Sequence, residues 1–197
     1  MPVAYNATYD YALDSTASLL GMDRNWLKNV IMLESSWNPA AYNKSGAVGL
    51  IQFMPATLKD FKIISPALAA KIPSDPSPIV PEDVKQAIRK EFLAKYPDTV
   101  SQLFGPVTTY FKRYRTYPTE QSVYLTVLYP AYRNASLDTA FNATVQRANP
   151  GIKTVGDYVA LVQSKAKTKD IIAKATKPLS LLALGGAALL GYFSLKA

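Results

Sequence analysis

The sequence predicts a mainly α-helical, single globular domain followed by one C-terminal transmembrane helix. Two observations lead to this expectation. Apolar residues recur with a helical period between capping and stopping residues over much of the chain, and residues 178–195 form a run of 18 residues without a charge. We therefore predict a domain over residues 1–172, and a basic juxtamembrane segment with a membrane anchor over residues 173–197.

Capping residues, turn residues and prolines mark the ends of the predicted helices. Gly21 is the expected stop of the first helix, and Asp23 is the expected N-cap of the second. Five prolines between residues 66 and 81 predict a surface loop with little regular structure. The predicted helices cover approximately residues 8–20, 24–34, 56–61, 81–96, 100–117, 120–130 and 155–163.

The composition limits the chemistry that the chain can perform. It has 197 residues but no cysteine and no histidine, which excludes disulfides, thiol nucleophiles, serine–histidine–aspartate triads and histidine metal sites. Acid–base chemistry must therefore come from carboxylates, lysines or tyrosines, and we expect neither a metal nor a cofactor. The net charge of +8 suits nucleic acid, an anionic membrane or an anionic cell wall, and does not choose among them.

The helical phase of Glu34 distinguishes it from the other carboxylates. At about 100° per residue, Trp26, Leu27, Val30 and Ile31 fall in one arc, and Glu34 lies near the middle of that arc. Desolvation there, and the negative end of the helix dipole, both favour the neutral acid. A protonated carboxyl group near neutral pH can protonate a leaving oxygen. The alternative is a rim glutamate that pairs with a lysine or caps a backbone amide.

Two segments that begin at this glutamate form a long motif, ESSWNP at residues 34–39 and SGAVGLIQFMPAT at residues 45–57. They closely resemble the soluble lytic transglycosylase (SLT) family, whose pattern is E-S-x-W-N-P followed by G-A-x-G-L-(M/I)-Q-x-M-P-x-T. The resemblance implies a lysozyme-like α+β fold and cleavage of peptidoglycan. It also implies that Glu34 is the catalytic acid/base and that Ser45, Gln52 and Met54 bind substrate. The alternatives are a satisfied buried amide at Gln52 and a core methionine at Met54.

A third motif of the SLT family, of the type A-Y-N-A-G, brings a tyrosine to the cleft. Leu128-Tyr129-Pro130-Ala131 is at the corresponding place, so Tyr129 is the expected substrate-binding tyrosine, although Pro-Ala-Tyr replaces Asn-Ala-Gly. Tyr132 belongs to a competing alignment. The YLTVLYPA segment and the later ANPGI segment resemble a bacteriophage-type branch of the family.

Residues 100–117 mix aromatic and basic side chains, because Lys112, Arg113 and Arg115 are interleaved with tyrosines and phenylalanines. Such a mixture could stack the bases of a nucleic acid. We favour core aromatic residues with arginines on the outer face, since no nucleic-acid-binding motif accompanies them, and we expect no nucleic-acid partner.

The run at residues 178–195, PLSLLALGGAALLGYFSL, would span about 27 Å as a helix, close to the thickness of the hydrocarbon core of a bilayer. Five lysines and one aspartate precede it between residues 165 and 177, a pattern suited to anionic lipid. The alternative is a buried C-terminal helix of the globular domain.

Together these inferences predict a membrane-anchored lytic transglycosylase that cleaves the MurNAc-GlcNAc β-1,4 bond of peptidoglycan strands and leaves a 1,6-anhydro end. An anchor with preceding lysines and no signal peptide would leave the domain in the cytoplasm, away from its substrate. A virion-borne enzyme avoids this difficulty. We therefore expect a membrane-containing phage, with capsid or other virion proteins as partners, that opens the host wall during entry. The rival is a non-catalytic lysozyme-like structural or glycan-binding protein anchored in a membrane.

Overall fold

The structure is a computed structural model that describes residues 7–73 and 79–175, with side chains described for residues 9–73 and 79–167. A π-helix at Leu103–Val107 and a 3₁₀ turn at Pro130–Tyr132 accompany the α-helices. The α-helices of the described residues are α1 (Ala7–Leu20), α2 (Arg24–Ser35), α3 (Pro55–Asp60), α4 (Pro66–Ala69), α5 (Glu82–Lys95), α6 (Thr99–Gln102), α7 (Thr108–Lys112), α8 (Glu120–Leu128), α9 (Ala143–Ala148) and α10 (Val155–Ala175).

The prediction of a mainly α fold is confirmed. The described residues contain no β-strand and only three isolated β-bridges, which are Tyr42–Val48, Val48–Phe53 and Ala140–Thr154. The β part of the expected α+β fold is limited, in this part of the chain, to those bridges. Two of them fold the loop that follows α2.

The ends of α1 and α2 agree with their predicted stop and cap. α1 ends at Leu20, and Gly21 has a φ of 64°, a left-handed conformation that glycine adopts readily. The Asp23 side chain accepts a hydrogen bond of 2.7 Å from the Asn25 backbone N–H and so caps α2. Local sequence therefore determines where the second helix begins.

Two predicted segments differ from the structure for reasons that involve proline. Pro66 begins the one-turn helix α4, inside the segment that was predicted to be loop, since proline is favoured at the first helical position. The helix predicted over 100–117 is instead α6, the π-helix and α7, with Pro106 inside the π-helix, and α7 ends at Lys112. α10 continues to Ala175, past the predicted end at residue 163.

α2 lies at the centre of the domain, in contact with α1, α8 and α10. Its Leu27, Val30 and Ile31 side chains are fully buried, and each contributes roughly 2 kcal/mol through burial of apolar surface. α8 is buried at every position from Ser122 to Leu128, as expected for a helix with little amphipathic character. α2 and α8 therefore form the buried centre of the domain, and their packing holds the C-terminal end of α2 in place.

A single buried side chain, Gln102, holds the loop that follows α2. Its Nε2 group donates to the carbonyl oxygens of Pro39 at 2.8 Å and Tyr96 at 3.0 Å, and its Oε1 accepts from the Leu50 N–H at 2.9 Å. Gly49 makes room for this amide, because a Cβ there would lie 2.7 Å from the Gln102 Oε1. The φ of Gly49 is also left-handed, at 81°. Glycine is required at this position for both reasons.

Within residues 7–73 and 79–175, none of the helices has the length and apolar character that crossing a bilayer requires. The predicted anchor at residues 178–195 lies outside the described residues.

Candidate active site

Glu34 lies in the last turn of α2, and its side chain is half-buried. The Tyr158 hydroxyl of α10 faces it and donates a hydrogen bond to Glu34 Oε1 at 3.5 Å, the outer limit for such a bond. The Tyr158 side chain is only 1% exposed. Burial, and then the negative charge of Glu34, hold the pKa of Tyr158 well above its usual value. The hydroxyl is therefore protonated, and can donate, through neutral pH.

Tyr158 is a candidate functional residue that the sequence analysis did not identify. Its position in α10, together with buried Val155, Val159 and Val162, follows the helical period of an inward-facing stripe. That signal marks Tyr158 as a core residue. It gives no indication that the hydroxyl faces a carboxylate 124 positions earlier in the chain.

A second set of polar contacts joins α2, α8 and α10. It begins at Asn29, five residues before Glu34 in α2. The Asn29 Nδ2 group donates to the Tyr124 hydroxyl at 3.1 Å, and this hydroxyl donates to Glu120 Oε2 at 3.4 Å. Gln163 of α10 donates to the other oxygen of Glu120. Burial raises the pKa of Tyr124 to about 12. These bonds fix how α2, α8 and α10 are placed relative to one another.

The predicted substrate-binding residue Gln52 has both ends of its amide engaged. Its Nε2 group donates to the Gly49 carbonyl at 3.1 Å, and its Oε1 accepts from Asn43 Nδ2 at 3.2 Å. The side chain is 8% exposed, and the backbone φ is 51°. The alternative of a satisfied buried amide thus has direct structural support, and contact with substrate remains a prediction.

Ser45 lies in the middle of the loop that follows α2, and Met54 is the last residue of that loop. The backbone N–H of Ser45 donates to Asn43 Oδ1 at 2.9 Å, so one asparagine side chain orders both Ser45 and Gln52. Met54 is half-buried and immediately precedes Pro55, the first residue of α3. Met54 as a residue is therefore partly accessible, and its contact with substrate remains a prediction.

The structure distinguishes the two candidate tyrosines at the end of α8. The Tyr132 hydroxyl accepts a hydrogen bond of 3.1 Å from the Asn142 N–H, and its ring packs edge-on against Phe141 at 5.0 Å. Tyr129 is half-buried, and its ring packs against Tyr132 at 5.3 Å. Among the described residues, no group forms a hydrogen bond with the Tyr129 hydroxyl. The Tyr132 hydroxyl thus already accepts a bond from the protein, and Tyr129 as the substrate-binding tyrosine remains a prediction.

The nearest acidic residues before and after Glu34 in the sequence are Asp23 and Asp60. Asp23 caps the opposite end of α2, about 16 Å away along the helix axis. Asp60 is exposed at the end of α3. A cavity of about 340 Å³ lies elsewhere, at the first turn of α8, and is lined by Pro118, Thr119, Gln121, Ser122, Arg133, Asn134 and Ala135.

Comparison with known protein families matches residues 14–75 to the transglycosylase SLT domain. The match covers roughly a third of the chain, from within α1 to beyond α4, and it includes Glu34, Ser45, Gln52 and Met54. It confirms the resemblance to the SLT family that the motif indicated, and it supports a lytic transglycosylase type of function that acts on peptidoglycan. A comparison with solved structures found no match. The assignment to a phage branch remains a prediction.

We expect Tyr129→Phe to lower specific activity on peptidoglycan at least tenfold with an unchanged melting temperature, because a substrate-binding hydroxyl contributes to the transition state, and no described residue bonds to this hydroxyl. Tyr132→Phe should instead lower the free energy of unfolding by about 1 kcal/mol, because it removes the acceptor of the Asn142 N–H, and should leave specific activity unchanged. Activity assays and thermal unfolding on both variants check this. The reverse pattern would assign the cleft to Tyr132.

Proposed function

We propose that this protein is a peptidoglycan lytic transglycosylase that cleaves the MurNAc-GlcNAc β-1,4 bond with Glu34 as the catalytic acid and base. One observation carries the proposal. Glu34 falls within the SLT match, at the half-buried end of a central helix, and a buried tyrosine hydroxyl faces its carboxyl group. The half-buried position and the facing hydroxyl orient the carboxyl group, as proton transfer to a leaving oxygen requires.

The reaction requires one protein carboxyl group and no water. Glu34 protonates the glycosidic oxygen as this oxygen leaves C1 of MurNAc. The 2-acetamido oxygen of the same sugar stabilises the oxocarbenium-like centre. The Glu34 carboxylate then accepts the proton of the 6-hydroxyl, whose oxygen bonds to C1 and closes the 1,6-anhydro ring. Glu34 ends protonated, as it began, and the product is lighter by one water than a hydrolysed end.

The placement of the neighbouring carboxylates supports this scheme over a two-carboxylate reaction. Hydrolysing glycosidases hold their two carboxyl groups about 5–9.5 Å apart. Asp23, the acidic residue that precedes Glu34 in the chain, is used as a helix cap at the far end of α2. In the proposed scheme the substrate supplies the nucleophile, its own 6-hydroxyl, in place of a second carboxylate.

We expect Glu34→Gln to abolish cleavage of purified peptidoglycan while the melting temperature stays close to that of the wild type, because glutamine keeps the shape but cannot transfer the proton. Asp83→Asn, an exposed acid on α5, is the matched control and should retain full activity. Mass spectrometry of the wild-type digest should show predominantly 1,6-anhydro ends. Predominantly reducing ends would indicate hydrolysis, and residual cleavage by Glu34→Gln would remove Glu34 from the mechanism.

Tyr158→Phe should change the pH dependence of cleavage. The hydroxyl donates to the Glu34 carboxyl oxygen and so favours the ionised form. Its loss favours the acid, and the alkaline limb of the activity profile should move to higher pH, with a several-fold lower maximum because the carboxyl group is less well oriented. Tyr124→Phe is the control. It removes a buried hydroxyl bonded to Asn29 and Glu120, so stability should fall while the pH profile stays unchanged; equal shifts in both variants would refute the assignment.

We also propose a location for the protein, in a membrane and in a virion. The uncharged run at residues 178–195 anchors the protein in a membrane, and the enzyme is carried in the virion of a membrane-containing phage, where assembly can place it opposite the host wall. The full chain should stay in the membrane pellet during alkaline carbonate extraction, and residues 1–177 alone should be in the supernatant. A full chain that is extracted would argue against the anchor, and virions without the protein would argue against the phage role.

A further inference from the structure

The C-terminal ends of α3 and α7 meet at Phe61 and bring together much of the positive charge of the domain. Five cations and one carboxylate, Asp60, lie in the two chain segments at these ends, and Arg133 joins them through its contact with Tyr114, so the set has a formal charge of +5, compared with +8 for the whole chain. We refer to the six as the cationic cluster: Lys59, Lys62, Lys112, Arg113, Arg115 and Arg133.

A continuous stack of rings and guanidinium groups connects the cluster. The Arg113 guanidinium lies 4.4 Å from the centre of the Phe61 ring, and this ring lies 5.0 Å from that of Tyr110. The Tyr110 ring lies 5.4 Å from that of Tyr114, and the Arg133 guanidinium lies 5.8 Å from the Tyr114 ring. The stack thus ends in an arginine on each side. A guanidinium packed against a ring keeps N–H groups available for a second ligand.

The positive charge of the cluster is not neutralised within the protein. In the part of the chain that the structure describes, no ion pair involves any of the six cations. The ammonium group of Lys59 donates to the Ile72 carbonyl at 2.9 Å, which orders the side chain but leaves its charge uncompensated. Like charges that lie near one another repel and lower the stability of the folded state. An anionic partner would relieve that repulsion.

Two members of the cluster occupy strained backbone positions. Lys62 has a φ of 54° and Arg115 a φ of 61°, and both side chains are exposed. Each directly follows a ring of the stack, Phe61 or Tyr114. Glycine or asparagine is the usual residue in this left-handed conformation, because a larger side chain crowds the backbone there. A long cation at both positions is unfavourable for folding, which indicates a function for the two charges.

We propose that the cationic cluster binds a linear polyanion of phosphodiester-linked polyols. Guanidinium N–H groups match phosphate oxygens in geometry and charge. A nucleic acid fits less well, since the rings of the stack are packed against one another and against arginines, where bases would need a free face. A bilayer also fits less well, because lasting attachment to a membrane surface combines basic charge with inserted apolar side chains. The exposed large hydrophobic residues of the described chain all lie outside the cluster: Tyr11, Leu19, Ile79, Phe104 and Leu137.

This binding is separate from the chemistry of Glu34, and it would retain the protein on a polyanion-bearing surface between cleavage events. An inactive Glu34→Gln protein should therefore bind the polyanion as tightly as the wild type. The binding inference and the proposed catalytic function can fail independently of each other.

The test is a titration of end-labelled poly(glycerol phosphate) with the full chain in a neutral detergent, followed by fluorescence anisotropy at several salt concentrations. The double variant Lys62→Asn/Arg115→Asn should bind at least tenfold more weakly and with a smaller dependence on salt. Its melting temperature should be unchanged or raised, because asparagine tolerates the left-handed backbone. Weaker binding with no loss of stability separates a binding role from a structural one.

The matched control is Lys90→Gln/Arg147→Gln, which removes two exposed charges from α5 and α9. It should bind within twofold of the wild type. Equal losses in the two double variants would mean that net charge alone attracts the polymer, and would overturn the proposal. Wild-type affinity in the Lys62/Arg115 variant would overturn it too. So would tighter binding to single-stranded DNA or to phosphatidylglycerol vesicles at the same phosphate concentration.

Discussion

The buried amide of Gln102 is the interaction on which the arrangement of the candidate site depends. It is fully buried, and it bonds to the backbone of three separate segments, at Pro39, Leu50 and Tyr96. A buried backbone group without a partner costs about 1–3 kcal/mol, so one side chain here avoids several such costs. The loop between Pro39 and Leu50 leads from the end of α2 to the rest of the SLT motif. Its position relative to Glu34 is therefore determined by a glutamine outside that motif.

The orientation of Glu34 depends on polar contacts between otherwise apolar helices. Apolar surfaces alone would allow α2, α8 and α10 to slide past one another, because burial is not directional. The chain of bonds from Asn29 through Tyr124 to Glu120 permits one register, and the Tyr158 hydroxyl gives the carboxyl group a fixed neighbour. Burial raises the pKa of both tyrosine hydroxyls, so they remain hydrogen-bond donors through neutral pH.

Gln52 shows that a motif residue can have a structural role that its family position does not reveal. Its amide bonds to Gly49 and Asn43 close the loop on itself, and the Asn43 side chain also holds the backbone of Ser45. A ligand contact and this internal role are compatible, since an amide has two N–H groups and two acceptor lone pairs. The fixed spacing of the motif residues therefore has a physical basis in the hydrogen bonds within the loop, and this basis does not depend on the identity of the ligand.

The sequence by itself determined the features that depend on residues close together in the chain. The mainly helical class, the stop at Gly21, the cap at Asp23 and the inward phase of Glu34 follow from caps and periodicity, which act within one or two turns. The motif around Glu34 could also be recognised from the sequence, and the family match confirms the resemblance. The errors at Pro66 and Pro106 have the same local origin, because proline ends some helices and begins others according to context.

Only the tertiary structure decided which distant side chains meet. Tyr158 lies 124 positions from Glu34, and Gln102 lies 63 positions from Pro39 and 52 from Leu50. The contact of Tyr132 with Asn142 is also known only from the structure, and the choice between Tyr129 and Tyr132 as the substrate-binding tyrosine remains a prediction. Helical period shows that a residue faces inward, but many inward-facing residues are equivalent on that criterion. The pairing is set by how whole helices pack, and that is a property of the complete core.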